Sequence, residues 1–180
     1  MRRYVLKRGQ VFLELGVVLT RKELFYDIEF ITNRIAKMVA VDEQKKLTRQ
    51  AADVTTEGDD NKDFIDRLIT TALAKIRTNT SWASGERGQK QVSDVIPDHV
   101  CNWTFVFHLN KDWRGEGETV CSLCHDYVVH KVVEDWLKMV SPGMKGEYEA
   151  QADEDMRDLK TELRKQKSAD PPVIYSLTGM

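Results

Sequence analysis

The sequence predicts a mainly α fold, a helical bundle with a long C-terminal antiparallel helix pair and a minor β element, and three observations carry that prediction. First, from about Glu118 to Lys167 apolar residues recur at the spacing of one helical face. Val120, Cys124, Tyr127, Val128, Val132, Trp136 and Val140 form one run, and Tyr148, Ala152, Met156, Leu159 and Leu163 form a second. Second, Ser141-Pro142-Gly143 between the runs combines a residue biased out of the helical region, a ring that removes a donor, and a permissive glycine, so the first helix stops there. Third, charged residues at 31% against apolar ones at 41% suit helices with wet outer faces better than a sandwich of short strands. Within the pair, Tyr127, Val132 and Trp136 are the expected core anchors.

The remaining elements follow in order. Tyr4 to Leu15 reads as two short strands about a turn at Arg8-Gly9, with a frayed helix as the competitor. Thr20-Arg21-Lys22-Glu23 has the form of a capping box, which opens a helix whose stripe is Leu24, Ile28, Ile31, Ile35 and Met38, widened by Phe25. Thr55 to Lys62 is polar and contains glycine, as a loop does; Asn61 or Asp63 then caps a helix with Phe64, Leu68, Ala72 or Leu73, and Ile76 on its core face. Thr78 to Asp98 has no period and reads as a long surface loop. From Cys101 to Leu109 the alternation is strict, with Cys101, Trp103, Phe105, Phe107 and Leu109 on one side, so this is a strand. It needs a partner, and YVLKR or QVFLEL near the start supplies one, unless another subunit does. The expected organisation is one domain over 1–168, with an extended N-terminal segment 1–19 and an extended C-terminal tail 169–180 after Asp170-Pro171-Pro172.

At 180 residues the chain is long enough for a real core, since a domain of this size buries roughly 70% of the surface its unfolded form exposes. The net charge of −2 argues against nucleic-acid gripping as the main purpose of the fold, so no sequence-specific nucleic acid is expected as a partner. No run reaches the roughly 18 apolar residues of a membrane span. The first residues are read as mature protein, because Glu14 interrupts the apolar part and no small-residue cleavage site follows. Three cysteines would leave one thiol over in a disulfide scheme, which points to a reducing setting. Charge is unevenly placed: Arg2, Arg3, Lys7 and Arg8 make the start basic, whereas Glu147, Glu149, Asp153, Glu154, Asp155 and Asp158 make one late helix acidic. Two solvated faces explain this, and so do partner contacts in which Arg2, Arg3, Lys7 and Arg8 meet Glu149, Asp153 and Asp155 of a neighbour.

The motif with most apparent chemistry is Cys121-Ser122-Leu123-Cys124-His125, which has the C-x-x-C-H form of covalent haem attachment. Its place in a long amphipathic helix, with Cys124 on the core face, favours small apolar thiols packed in a helix. A zinc site from Cys101, Cys121, Cys124 and His125 or His108 is the intermediate reading, which has one C-x-x-C half and lacks a second close pair. The chain contains no phosphate loop, dinucleotide fingerprint, H-E-x-x-H or nucleophile elbow. His125 and His130 are five apart and do not stack on one helical face, so surface or cap roles are expected for them. Trp103, Trp113 and Trp136 read as core anchors, because no basic residues interleave with them.

LTRKELFYDIEFI, the central DFIDRLITTALAKI, WTFVFHLNKDW and CHDYVVHKVVEDWLKMVSP, followed by a polar helix with a tyrosine near its start, stand in an order that resembles a family of small virion proteins of tailed bacteriophages and prophages. Within it the likeness is to the adaptor or head-to-tail connector class, which forms a ring between portal and tail. It covers roughly Leu19 to Gln166 and centres on the Y-V-V-x-K-V-V-x-D-W-L core. The resemblance implies a structural protein, not an enzyme and without a cofactor, that acts through protein contacts. Its implied partners are copies of itself in a ring and neighbouring virion proteins such as portal and tail components. Its implied location is the virion, and the host cytoplasm before assembly. The alternative is a small zinc or haem protein centred on the C-x-x-C-H segment.

Overall fold

The structure is a computed structural model that describes residues 3–8, 12–40, 59–83 and 102–166. Over these residues the chain is mainly helical, with four α-helices and one small antiparallel sheet. The elements are β1 (Arg3–Arg8), β2 (Leu13–Thr20), α1 (Arg21–Ala40), α2 (Asp59–Asn79), β3 (Asn102–Leu109), α3 (Gly117–Val140), a 3₁₀ turn (Pro142–Met144) and α4 (Lys145–Arg164).

Alternation builds the sheet. Leu13, Leu15, Val17 and Leu19 of β2 are buried, and they stand opposite Leu109, Phe107, Phe105 and Trp103 of β3. That register places one apolar row beneath the helices and leaves Asn102 and Thr104 exposed. The middle strand runs on to Thr20, beyond the expected end at Leu15. Val17 and Leu19 continue the alternation of Leu13 and Leu15 with no residue that breaks a strand. β1 pairs along the other side of β2, with Tyr4 opposite Val17 and Leu6 opposite Leu15. Tyr4 lies over the start of α3, where a Cβ added at Gly117 would meet the tyrosine ring at 2.5 Å, so glycine is the residue that admits this contact. On its far side β3 donates a hydrogen bond to a turn, from His108 N to Ala83 O at 2.6 Å.

Helix α1 begins at the residue after Thr20, whose hydroxyl donates to a Glu23 carboxylate oxygen at 2.7 Å. The cap is therefore closed through the two side chains. Arg21 reaches α2 with a two-pronged contact to buried Asp66, Nε to Oδ1 at 3.0 Å and an Nη to Oδ2 at 2.6 Å, a geometry that fixes both position and orientation. α2 starts at Asp59, so Asn61 and Asp63 lie within the helix and do not cap it. Its buried line is Ile65, Ile69, Ala72, Leu73 and Ile76, while Phe64 and Leu68 are only half buried. The expected face holds at Ala72, Leu73 and Ile76 and is one residue out of phase before them, because Phe64, Ile65, Leu68 and Ile69 in DFIDRLIT fit two neighbouring stripes equally well.

Helix α3 is the centre of the core. It packs on α4, α2, α1 and both N-terminal strands, and its buried residues extend well around its circumference. It ends at Val140, before Pro142 as expected, with Ser141 N donating to Leu137 O at 2.8 Å. α4 then buries Ala152, Met156, Leu159 and Leu163. Its far end is tied to the entry of α3: Trp113 Nε1 donates to Glu162 O at 2.9 Å, and Glu116 N donates to Glu162 Oε1 at 2.8 Å. Most core residues form one cluster; Ile35, Val133, Trp136 and Leu137 form a second at the C-terminal end of α3. No helix among the described residues is long and apolar enough to cross a membrane.

Candidate functional site

The C-x-x-C-H residues do not converge. Cys121 and Cys124 are fully buried thiols inside the main apolar cluster, and neither is in a disulfide. Burial pushes the Cys124 thiol pKa up, and nearby Cys121 adds to it, which keeps the sulfur protonated and unreactive. His125 is not on the surface: it is 3% exposed. Its Nε2 lies 3.3 Å from Asp27 Oδ2 of α1, and its Nδ1 lies 3.2 Å from Asp126 Oδ1. The expectation of an exposed role failed because α3 is covered on several sides, so leaving the apolar stripe does not mean reaching water. His130 also links helices, with Nδ1 2.6 Å from Asp155 Oδ2 of α4 and its ring tilted against Tyr148. Cys101 lies outside the described residues, and among those described no group of three histidine, cysteine or carboxylate side chains is placed to hold a metal ion.

The charged residues of the two termini separate in the same way. Arg3, Lys7 and Arg8 fall on β1, an edge strand, and Lys7 is exposed; Arg2 and the tail 169–180 lie outside the described residues. Basic residues on an edge strand also guard it against unwanted strand pairing. On α4, Glu149 and Asp153 are exposed, while Asp155 is turned onto His130. Tyr127, Val132 and Trp136, the expected anchors, are buried.

A polar feature lies elsewhere. α2, α3 and α4 line an open cleft of about 540 Å³. On the α3 wall, buried Lys131 donates to Glu134 and, at 2.9 Å, to Asp135 Oδ1. Lys138 binds the same two carboxylates, at 2.5 Å and 2.9 Å. Burial disfavours ionisation of Glu134 and Asp135, but the hydrogen bonds and charges of the two lysines outweigh it, and both carboxyl pKa values lie below the usual range. Those carboxylates in turn push Lys138 up. Tyr127, 5% exposed, also lines the cleft. Its phenol is pushed up to about 12, by burial first and then by Glu134, Asp135 and Asp153.

The opposite walls carry Lys75 and Asn79 of α2 and Arg157 and Lys160 of α4. Lys160 Nζ donates to Asn79 Oδ1 at 3.0 Å, a contact between residues 81 positions apart. The Lys75 pKa is lowered, by partial burial first and by Lys131 next. Of the cleft residues, sequence reasoning singled out Tyr127, as a core anchor, and Glu149 and Asp153, as contacts to a neighbour, but none as part of a cleft. Lys131, Glu134, Asp135 and Lys138 do carry a signal, since they stand three and four apart and hence on one helical face. What was not legible is that this face lines a cleft against α2 and α4.

Comparison with family models, with curated proteins and with solved structures gives no match for this chain.

Proposed function

We propose that this chain is a structural interaction subunit, a head-to-tail connector or neck-ring protein of a tailed phage or prophage, built as a helical bundle around the antiparallel pair α3 and α4. Its product is an assembly, and no chemical step is involved. Its partners on this reading are other copies in a ring and the adjoining portal and tail components, in the virion after assembly and in the host cytoplasm before it. The observation that carries the reading is an unpartnered aromatic pair on α1. Tyr26 and Phe30 stand one helical turn apart and are 68% and 60% exposed. Single exposed apolar residues are ordinary, but paired large aromatics are the residue type that anchors interfaces. Edge strand β1 adds exposed Tyr4, Val5 and Leu6. The order of elements from Leu19 to Gln166 supplies the connector class by resemblance.

Sedimentation of the purified chain over a range of concentration and salt tests this. The expected result is a closed oligomer that Tyr26→Ser with Phe30→Ser dissociates, while folding stability changes by less than about 0.5 kcal/mol, as for other surface substitutions. A charge contribution would appear as weaker assembly at high salt. Reversing Glu149 and Asp153 to lysine should weaken it, and adding acidic replacements at Arg2, Arg3, Lys7 and Arg8 should partly restore it. Asp155 is left out of the swap because it holds His130. A chain that stays monomeric throughout, alone and in the presence of a portal ring, removes the reading.

A further inference from the structure

The cleft between α2, α3 and α4 differs in charge along its length. Toward the C-terminal end of α3, Lys131 and Lys138 are matched by Glu134 and Asp135, two cations against two carboxylates, and that group is closed. Toward Tyr127 the walls carry Lys75, Arg157 and Lys160, and among the described residues none of the three forms an ion pair. Lys160 is held by the neutral Asn79, and Lys75 lies against another cation, Lys131, with Asp135 and Glu134, which Lys131 and Lys138 already bind, as its acidic neighbours. The cleft's remaining carboxylates are Glu149 and Asp153, two turns and one turn before Arg157 on α4, and Asp153 is near enough to Tyr127 to act on its phenol.

A second observation is independent of charge. Tyr127 is buried to more than nine tenths, lines the cleft, and its hydroxyl has no hydrogen-bond partner among the described residues. The oxygen is not sealed off, since the only fully enclosed side-chain polar atom without a partner among the described residues is Trp136 Nε1. It therefore opens on the cleft. A nearly buried phenol without a partner stands beside three cations contributed by two other helices, and these outnumber Asp153, the one carboxylate acting on it that Lys131 and Lys138 do not already bind. Like charges held together cost stability unless an anion lies between them.

We propose that the Tyr127 end of this cleft binds a phosphate group, with Lys75, Arg157 and Lys160 as its cationic contacts and the Tyr127 hydroxyl donating a hydrogen bond. Three cations match a phosphate dianion better than a single carboxylate, and the guanidinium of Arg157 can present two parallel N–H donors to it. At about 540 Å³ the cleft falls within the range of small-molecule pockets, so it also has room for the rest of a phosphorylated small molecule.

Calorimetric titration of the full chain at fixed ionic strength with inorganic phosphate, pyrophosphate and acetate tests the proposal. The expected result is saturable binding of phosphate, tighter binding of pyrophosphate and none of acetate. Lys75→Met and Arg157→Met should each weaken phosphate binding about tenfold or more, the loss of one charge-assisted contact. Both residues are exposed, so the variants should melt as the parent does. Tyr127→Phe should weaken binding several-fold, whereas Lys145→Met, on α4 but outside the cleft, should bind as the parent. The proposal is overturned by any of three results: no saturable binding of either phosphate probe, Lys75→Met and Arg157→Met binding as the parent does, or acetate binding as well as phosphate.

Discussion

Trp136 and Glu134 stand two residues apart on α3, and both are almost inaccessible to water, but they are buried by opposite means. Trp136 sits among Ile35, Val133 and Leu137, and its indole N–H has no acceptor among the described residues. Removing a tryptophan side chain of 150 to 250 Å² from water is worth about 4 to 6 kcal/mol at 25 cal/mol per Å², an upper value for a chain that is already partly compact when unfolded. An unsatisfied donor costs about 1 to 3 kcal/mol, so area wins. Glu134 gains little from area, and it is held by Lys131 and Lys138. One helix thus has a side that tolerates a polar defect and a side that needs complete pairing.

Trp136→Ala should break the first side most severely, costing about 3 to 5 kcal/mol in urea unfolding. A loss below about 1 kcal/mol would show that the second cluster contributes little to folding. Trp136→Phe sharpens the comparison, because it keeps most of the ring area and deletes the orphan donor; its cost should stay under about 1.5 kcal/mol.

On the paired side, Glu134→Ala leaves Lys131 with Asp135 alone. The expected loss is about 2 to 3 kcal/mol, somewhat under the usual cost of stripping a buried ion of its partner. Lys131→Met combined with Glu134→Leu should recover most of it, since apolar replacement of a buried pair is often neutral. If the double variant is as unstable as Glu134→Ala, the site depends on shape and not on charge balance.

Acid should separate the two sides as well. Glu134 and Asp135 have folded pKa values below their ordinary 4.5 and 3.8. A carboxyl group lowered on folding contributes stability that is complete above its unfolded pKa and lost as pH falls through the folded one. Stability of the parent should therefore decline as pH drops below about 4.5, and the Lys131→Met, Glu134→Leu variant should show a shallower decline. Trp136→Phe should leave the slope unchanged. The smallest effect belongs to Lys138→Ala, whose side chain is 41% exposed; solvent screening limits its cost to about 0.2 to 1 kcal/mol.

Parts of this comparison can be read from the sequence. The apolar run through Val120, Cys124, Val128, Val132 and Trp136 marks the first side without ambiguity, and Lys131, Glu134, Asp135 and Lys138 mark the other by spacing alone. His125 shows where such reading stops. It leaves the stripe and looks like a surface residue, but Asp27 of α1 lies over it. α2 shows a second limit, since its isoleucines permit two phases and only the neighbours that cover Ile65 and Ile69 choose between them.

The sequence by itself determined the local elements: strict alternation made β3, three- and four-residue spacing made α3 and α4, and Ser141-Pro142-Gly143 ended α3. These follow from backbone geometry and from residues within a turn of one another, which is the range over which propensity and periodicity act. Tertiary structure alone decided the rest. It set the order β1-β2-β3 and covered His125. It also brought Lys75, Tyr127 and Arg157, from three different helices, to one cleft. No local rule encodes those meetings, because a side chain's burial and charge environment depend on which distant faces fit against its own, and that fit is fixed only when the whole core closes.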